Sequence, residues 1–181
     1  MRSVADFYQD CISAVGQQPP LDVQLPDAVG CVLAEDVEAP FNLPVADLAA
    51  CDGYAVAAAD LEGARPDAPV VLPVTEEIRA GDIHPAALIR GRAIRIASGA
   101  PMPQGADAVL ALEFSDHGIS KVSAKTQPAV GENIRRKAED VEEGSVVLRA
   151  GTRVGARQVA LLAGVGRSRV LVHPRPRVVI L

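Results

Sequence analysis

The sequence has no tryptophan and only 3% aromatic residues, so side-chain platforms on which nucleobases stack are scarce. Its three cysteines, Cys11, Cys31 and Cys51, are an odd number with none of the short C-x-x-C spacings of zinc sites. Their even interval accompanies no repeat of the flanking residues, so they read as buried or incidental thiols. No uninterrupted apolar run approaches the ~20 residues of a membrane span, and MRSVADFYQD carries acids where a secretory signal has its apolar segment. A cytoplasmic protein is the expectation. The net charge of -5 disfavours nucleic acid or an anionic membrane as partner, while leaving room for a local basic patch that binds a small anion. The phosphate-binding G-x-x-x-x-G-K-[ST] loop and the dinucleotide fingerprint are also missing. His84, His117 and His173 each stand at a turn, and no two have metal-ligand spacing. Nothing supports an autonomous hydrolase, kinase or dehydrogenase.

What is present is aliphatic. With 181 residues and 49% hydrophobic content, the chain can bury the core of one large or two small domains. Ser3, with Asp6 three residues on, predicts a helix start, and Val4, Phe7, Tyr8, Cys11, Ile12 and Val15 follow at helical spacing up to Gly16. Pro19, Pro20 and Pro26 predict a short helix or turn, and Val29 to Ala34 a strand. From 53 to 146, short β-prone runs alternate with Gly and Pro: Tyr54–Val56, Val70–Val74, Ala93–Ala97, Ala108–Leu112, Ile119–Ser123 and Val146–Leu148. No helical period interrupts them, so this stretch reads as a β domain of barrel or sandwich type. Ala156, Val159, Ala160 and Ala163 then restore the helical period, Gly164 and Gly166 end it, and Arg169–His173 predicts a strand.

The chain is organised around Pro40 to Val56, PFNLPVADLAACDGYAV. Pro40 and Pro44 fix φ and push the residues before them into extended geometry, giving a taut connector. Asp52-Gly53 reads as a tight turn opening a strand, with the carboxylate at the strand mouth beside a bare glycine backbone. By spacing alone that carboxylate caps its own backbone in an Asx turn; at such a position it also suits ligand contact.

Three ordered stretches resemble one family. Asp52-Gly53-Tyr54-Ala55-Val56 resembles the D-G-Y-A hallmark of the molybdopterin molybdenumtransferases, the family of MoeA and the gephyrin E domain, with Ala49-Ala50-Cys51 replacing the usual S-A-M lead-in. Arg95 to Val109, RIASGAPMPQGADAV, is similar to R-I-x-T-G-A-x-x-P-x-G-A-D-x-V. Gly131 to Asp140, GENIRRKAED, is similar to G-x-N-I-R-x-x-G-E-D, with Ala138 at the family's glycine.

The resemblance implies a mixed α/β, multidomain fold. A small discontinuous α/β domain over 1–43 and 147–174 would carry an inserted, barrel-like β-rich domain over 44–146. Residues 175–181 would begin a truncated third α/β domain that holds the pterin pocket. It further implies an enzyme that inserts molybdate into adenylated molybdopterin with release of AMP, using Mg2+. Expected partners are a second copy in a homodimer and a molybdopterin adenylyltransferase. This fragment by itself is expected to be inert.

The implied catalytic residues are Asp52, Ser98 and Asp140. Asp52 and Asp140 are the expected Mg2+ carboxylates. Gly53, Gly99 and Arg135 are the substrate contacts. Ser98 reads equally as a hydroxyl offered to an oxyanion or as a turn serine at a strand end, and Asp107 as a turn-stabilising acid. If the glycine replaced by Ala138 needs φ > 0, the loop before Asp140 differs here. Two other readings stand beside the enzyme: a dimerising scaffold that keeps the fold without the reaction, and a stand-alone β-barrel with a small ligand.

Overall fold

Ser3 starts the first helix as its spacing from Asp6 predicts. Its Oγ accepts the Asp6 backbone N–H at 3.1 Å, while the Asp6 carboxylate accepts the Ser3 N–H at 3.2 Å. In this computed structural model, which describes residues 2–83, 85 and 87–180, the elements run α1 (Val4–Ser13), β1 (Leu21–Gln24), β2 (Val32–Leu33), β3 (Val37–Glu38), β4 (Leu48–Ala49), β5 (Gly53–Val56), β6 (Val70–Ile78), β7 (Ala93–Ile96), β8 (Ala108–Ala111), β9 (Lys121–Ala124), β10 (Ile134–Arg135), β11 (Val146–Leu148), α2 (Ala156–Gly164) and β12 (Arg169–His173). The chain is mixed α/β with strands predominating. It divides into two compact units, Met1–Phe41 with Glu143–Leu181, and Asn42–Glu142.

In the first unit, β12 lies between β1 and β2 in an antiparallel sheet, and β11 pairs with β3. Leu33, Val37, Val154, Leu162, Val170 and Val172 close its core. Full burial of each such aliphatic side chain is worth about 1.5–3 kcal/mol. Strand β1 falls where prolines predict a turn or short helix. Its ladder partner, β12, comes from the far end of the chain, out of reach of any local pattern. The apolar face of α1 forms as its period predicts, yet no residue of the helix is buried, and Phe7 and Tyr8 are 60% and 59% exposed. Pro174–Ile180 has no regular structure, and Val178, Val179 and Ile180 are exposed. His173 ends β12 with its ring between Gln17 and the Gln18 carbonyl. His84 lies outside the described residues.

The second unit is built on a five-stranded sheet in the order β8-β5-β7-β6-β9, parallel only between β6 and β7. Both faces are covered. Tyr54 and Val56 point into one apolar cluster with Leu72, Leu110 and Val122, while Ala55 joins Ile94, Ile96 and Val109 in the other. The strand alternation of side chains produces that division. The sheet stops short of the expected barrel, with β8 and β9 as its two edges. The Leu43-Pro44 peptide is cis, and the connector it belongs to is non-helical, as the prolines require.

Gly53 is a strand residue rather than the turn residue its dipeptide suggests. It pairs with Ile96 on one side and Ala111 on the other, and a Cβ there would meet the Leu110 carbonyl oxygen at 2.2 Å. Backbone, not a movable side chain, blocks the space. We therefore expect Gly53→Ala to destabilise the chain by about 1–3 kcal/mol or more through overpacking, read as a lower urea midpoint with an unchanged slope. A wild-type midpoint would show that the two strands can part without cost.

Candidate functional site

The three motifs meet on β4 and the four residues that follow it. The Ala49 N–H donates to the Ala100 carbonyl and its own carbonyl accepts from the Gly99 N–H, both at 2.9 Å. On the other side Ile134 and Arg135 pair in register with Ala49 and Leu48, and the Ala50 N–H donates to the Asn133 carbonyl at 2.8 Å. Asn133 sits at φ 57 and its side-chain amide donates to the Val109 carbonyl at 2.9 Å. The lead-in to Asp52 is thus gripped by backbone bonds from both later motifs.

Asp52 leaves this joint immediately before β5, and its Oδ1 accepts the Ser98 backbone N–H at 2.7 Å. That partner lies 46 residues on, so the carboxylate ties two motifs together instead of closing a local Asx turn. Asp52 borders a cleft of about 120 Å³. Gly53, Ile96, Ala97 and Leu112 form its backbone and apolar walls, and Glu77 and Arg95 bring the other two charges. Glu77 and Arg95 are opposite each other in the parallel β6–β7 register, and Tyr54 opposes Arg95 from β5. Tyr54 is fully buried, its hydroxyl donating to the Gly118 carbonyl at 2.9 Å. Burial pushes its pKa up. Cys51 is half-buried, and its thiol pKa is raised by burial first, then by the carboxylates of Glu113, Asp52 and Glu132.

Of the residues singled out from sequence, Asp52 and Gly53 line this cleft and Ser98 reaches it through its N–H. The Ser98 hydroxyl instead donates a long 3.4 Å bond to the Ala50 carbonyl. Gly99 takes φ 78, its N–H is bonded to Ala49, and it borders a separate apolar hollow. Arg135 and Asp140 form an ion pair with each other at 2.5 Å and line no part of the Asp52 cleft. Among the described residues no group of three or more His, Cys, Asp or Glu is placed to hold a metal ion. Asp107 is structural: its Oδ1 accepts the Ala58 N–H at 2.7 Å. Sequence reasoning missed Glu77 and Arg95 as site residues. Glu77 lies beyond the expected end of its strand at Val74, and Arg95 opens the second motif with no role that its spacing suggests; only the strand register brings them together.

Ala138 adopts φ 65, the left-handed conformation that glycine takes without penalty. The backbone there takes a positive φ, at a cost borne by the alanine. The loop is latched from outside by Asp47, whose carboxylate accepts the Lys137 backbone N–H at 2.8 Å and an Arg136 guanidinium N–H at 2.7 Å. The Lys137 bond does most to hold the Asp47 pKa below 3.8, and Arg136 adds to it against a desolvation cost.

Two expectations follow for this loop. Ala138→Gly relieves about 1–2 kcal/mol of left-handed strain, offset in part by glycine's larger unfolded-state entropy. The net gain should appear as a melting temperature about 2–4 °C higher; no rise would mean the loop carries no strain at Ala138. Because the folded Asp47 pKa is depressed, its contribution is complete above 3.8 and is lost as pH falls below that value. Asp47→Asn should melt below wild type at pH 7, with the gap closing on acidification; a gap independent of pH would show that the charge is irrelevant.

The family profile of the MoeA N-terminal region (domain I and II) matches residues 2–166. Molybdopterin molybdenumtransferase 2 of Mycobacterium tuberculosis is 41% identical over 181 residues, which is all of this chain and 45% of that protein. The molybdopterin molybdenumtransferase of Bacillus subtilis is 39% identical over 158 residues, covering 85% of this chain and 37% of that one. Among solved structures, the molybdopterin biosynthesis moeA protein of Pyrococcus horikoshii OT3 superposes with a TM-score of 0.82 at 38% identity, over 88% of this chain and 43% of its own. The chain thus spans less than half the length of these relatives. With all three motifs inside the matched region and the fold shared, this chain belongs to the MoeA family, whose N-terminal region it matches.

Proposed function

We propose that this chain is the N-terminal portion of a molybdenum cofactor biosynthesis enzyme that inserts molybdate into adenylated molybdopterin with release of AMP. The observation that carries the reading is the Asp52 carboxylate, held by the Ser98 N–H at a cleft shared with Glu77 and Arg95, in a chain of the MoeA family. The relatives are more than twice as long. In this reading the segment after Pro174 leads into an α/β domain that supplies the pterin pocket, and the 181-residue chain alone makes no cofactor.

Magnesium fits the donors of this cleft. Mg2+ takes one or two carboxylates and completes its shell with water and phosphate oxygens. Asp52 and Glu77, both exposed and lining one cleft, provide that set, whereas Asp140 lines no part of it. When bound, the cation supplies charge that offsets phosphate and molybdate oxygens. The chain's own residues orient the reactants. The Ser98 N–H fixes the direction of the Asp52 carboxylate, and the Arg135–Asp140 pair, on the loop latched by Asp47, presents a second polar surface.

The partners follow the same reading. The uncovered apolar face of α1 supplies a surface for a second copy in a homodimer, and a molybdopterin adenylyltransferase provides the adenylated substrate. No helix among the described residues is long and apolar enough to cross a membrane, and we place the reaction in the cytoplasm. The test is Asp52→Asn in the full-length protein, assayed for molybdenum cofactor formed from adenylated molybdopterin and molybdate. A loss of about 100-fold or more is expected from removing one charged contact at the reacting groups. Undiminished insertion would overturn Asp52 as the site, whereas a full-length wild type that inserts no molybdenum would leave the dimerising scaffold as the better account.

A further inference from the structure

Arg95 differs from most arginines of its unit. Arg79, Arg90, Arg135 and Arg136 each form an ion pair, with Glu77, Asp60, Asp140 and Asp47. Arg95 is half-buried at the penultimate position of β7, yet no hydrogen bond or ion pair holds its guanidinium among the described residues. Its register neighbours are Tyr54, whose hydroxyl is bonded to Gly118, and Glu77, whose Oε2 is shared with Arg79 at 3.3 Å. It lines the Asp52 cleft and also an adjoining hollow of about 160 Å³ edged by Thr75, Glu76 and Ile119. A cation withdrawn in part from water without a fixed partner is unfavourable, and the cleft beside it is open.

We propose that Arg95 is the oxyanion-binding residue of the Asp52 cleft, its guanidinium taking two oxygens of a tetrahedral anion, the phosphate group of a substrate or molybdate itself. The inference rests on the function proposed above and names the residue that receives the anion there. Geometry favours arginine in this role, because its planar fork of donors matches two oxygens of one tetrahedral group and it carries its charge at every working pH. The neighbouring Asp52 and Glu77 carboxylates repel an anion, so a cation on the same wall is needed before one can enter. Held at the anion's edge by Arg95, a phosphate or molybdate also presents its remaining oxygens to any cation shared by Asp52 and Glu77.

The test titrates the 181-residue chain with inorganic phosphate and, separately, with molybdate, with and without Mg2+, following backbone amide resonances. The expected result is saturable shifts at Gly53, Ala97 and Ser98. Arg95→Gln should weaken binding by about 10-fold or more, the loss of a charged hydrogen bond, while Arg95→Lys, which keeps the charge without the fork, falls between. A variant whose Ser98 amide keeps its wild-type position in the unliganded spectrum has kept the Asp52 bond and the fold. Shifts with phosphate alone assign the seat to a substrate phosphate, and shifts with molybdate alone to the metal oxyanion. The proposal is overturned if wild type binds neither anion, if Arg95→Gln binds as tightly as wild type, or if the shifts cluster at Arg135–Lys137. Anion binding lost in Arg95→Gln while the full-length wild type inserts no molybdenum would sink the enzymatic reading and leave this site standing.

Discussion

The 2.7 Å hydrogen bond from the Ser98 N–H to the Asp52 carboxylate is the contact on which the candidate site depends. It cannot form unless two segments far apart in sequence arrive in fixed relation, and the backbone around Ala49 sets that relation. Ala49 uses both its N–H and its carbonyl on the Gly99–Ala100 turn while pairing with β10 on its other side. Backbone groups so satisfied have little freedom to shift. Asp52 therefore occupies a position defined by two other motifs, a form of preorganisation suited to binding anions through a metal or a neighbouring cation.

The sheet under the cleft imposes the second constraint. Both faces of β5 are buried, which forces small and apolar residues along Gly53–Val56, and at Gly53 the approach of the Leu110 carbonyl admits no side chain at all. The glycine of the D-G-Y-A motif thus serves the packing of strands. Its role at the cleft is a consequence of where β5 begins. Charge is confined to the rim: Arg95 and Glu77 lie near the strand ends, with Tyr54 covering the interior beside them.

The third motif acts at one remove. Asn133 and Ile134 bind it to β8 and β4, and Asp47 latches the backbone of Lys137. The loop tolerates alanine where the family has glycine because these contacts over-determine its conformation, holding Ala138 in the left-handed region at some cost. Arg135 and Asp140, paired with each other, belong to this latched loop rather than to the Asp52 cleft.

Sequence alone determined the helices, through the Ser3–Asp6 capping box and the period of Ala156 to Ala163, since helical order is local and repeats every turn. It also determined the family, because D-G-Y-A, R-I-x-S-G and N-I-R stand in order, and it marked Asp52 as the leading acid. Only the tertiary structure decided which residues share a cleft. The short strands β1, β4 and β10 exist by virtue of distant partners, and Glu77 meets Arg95 and Asp52 through a parallel register with a bulge that no periodicity reveals. The same is true of Gly53, read from its dipeptide as a turn and found in a crowded strand. Local patterns report what a residue prefers, whereas hydrogen-bond register and steric exclusion between separate strands decide what it touches.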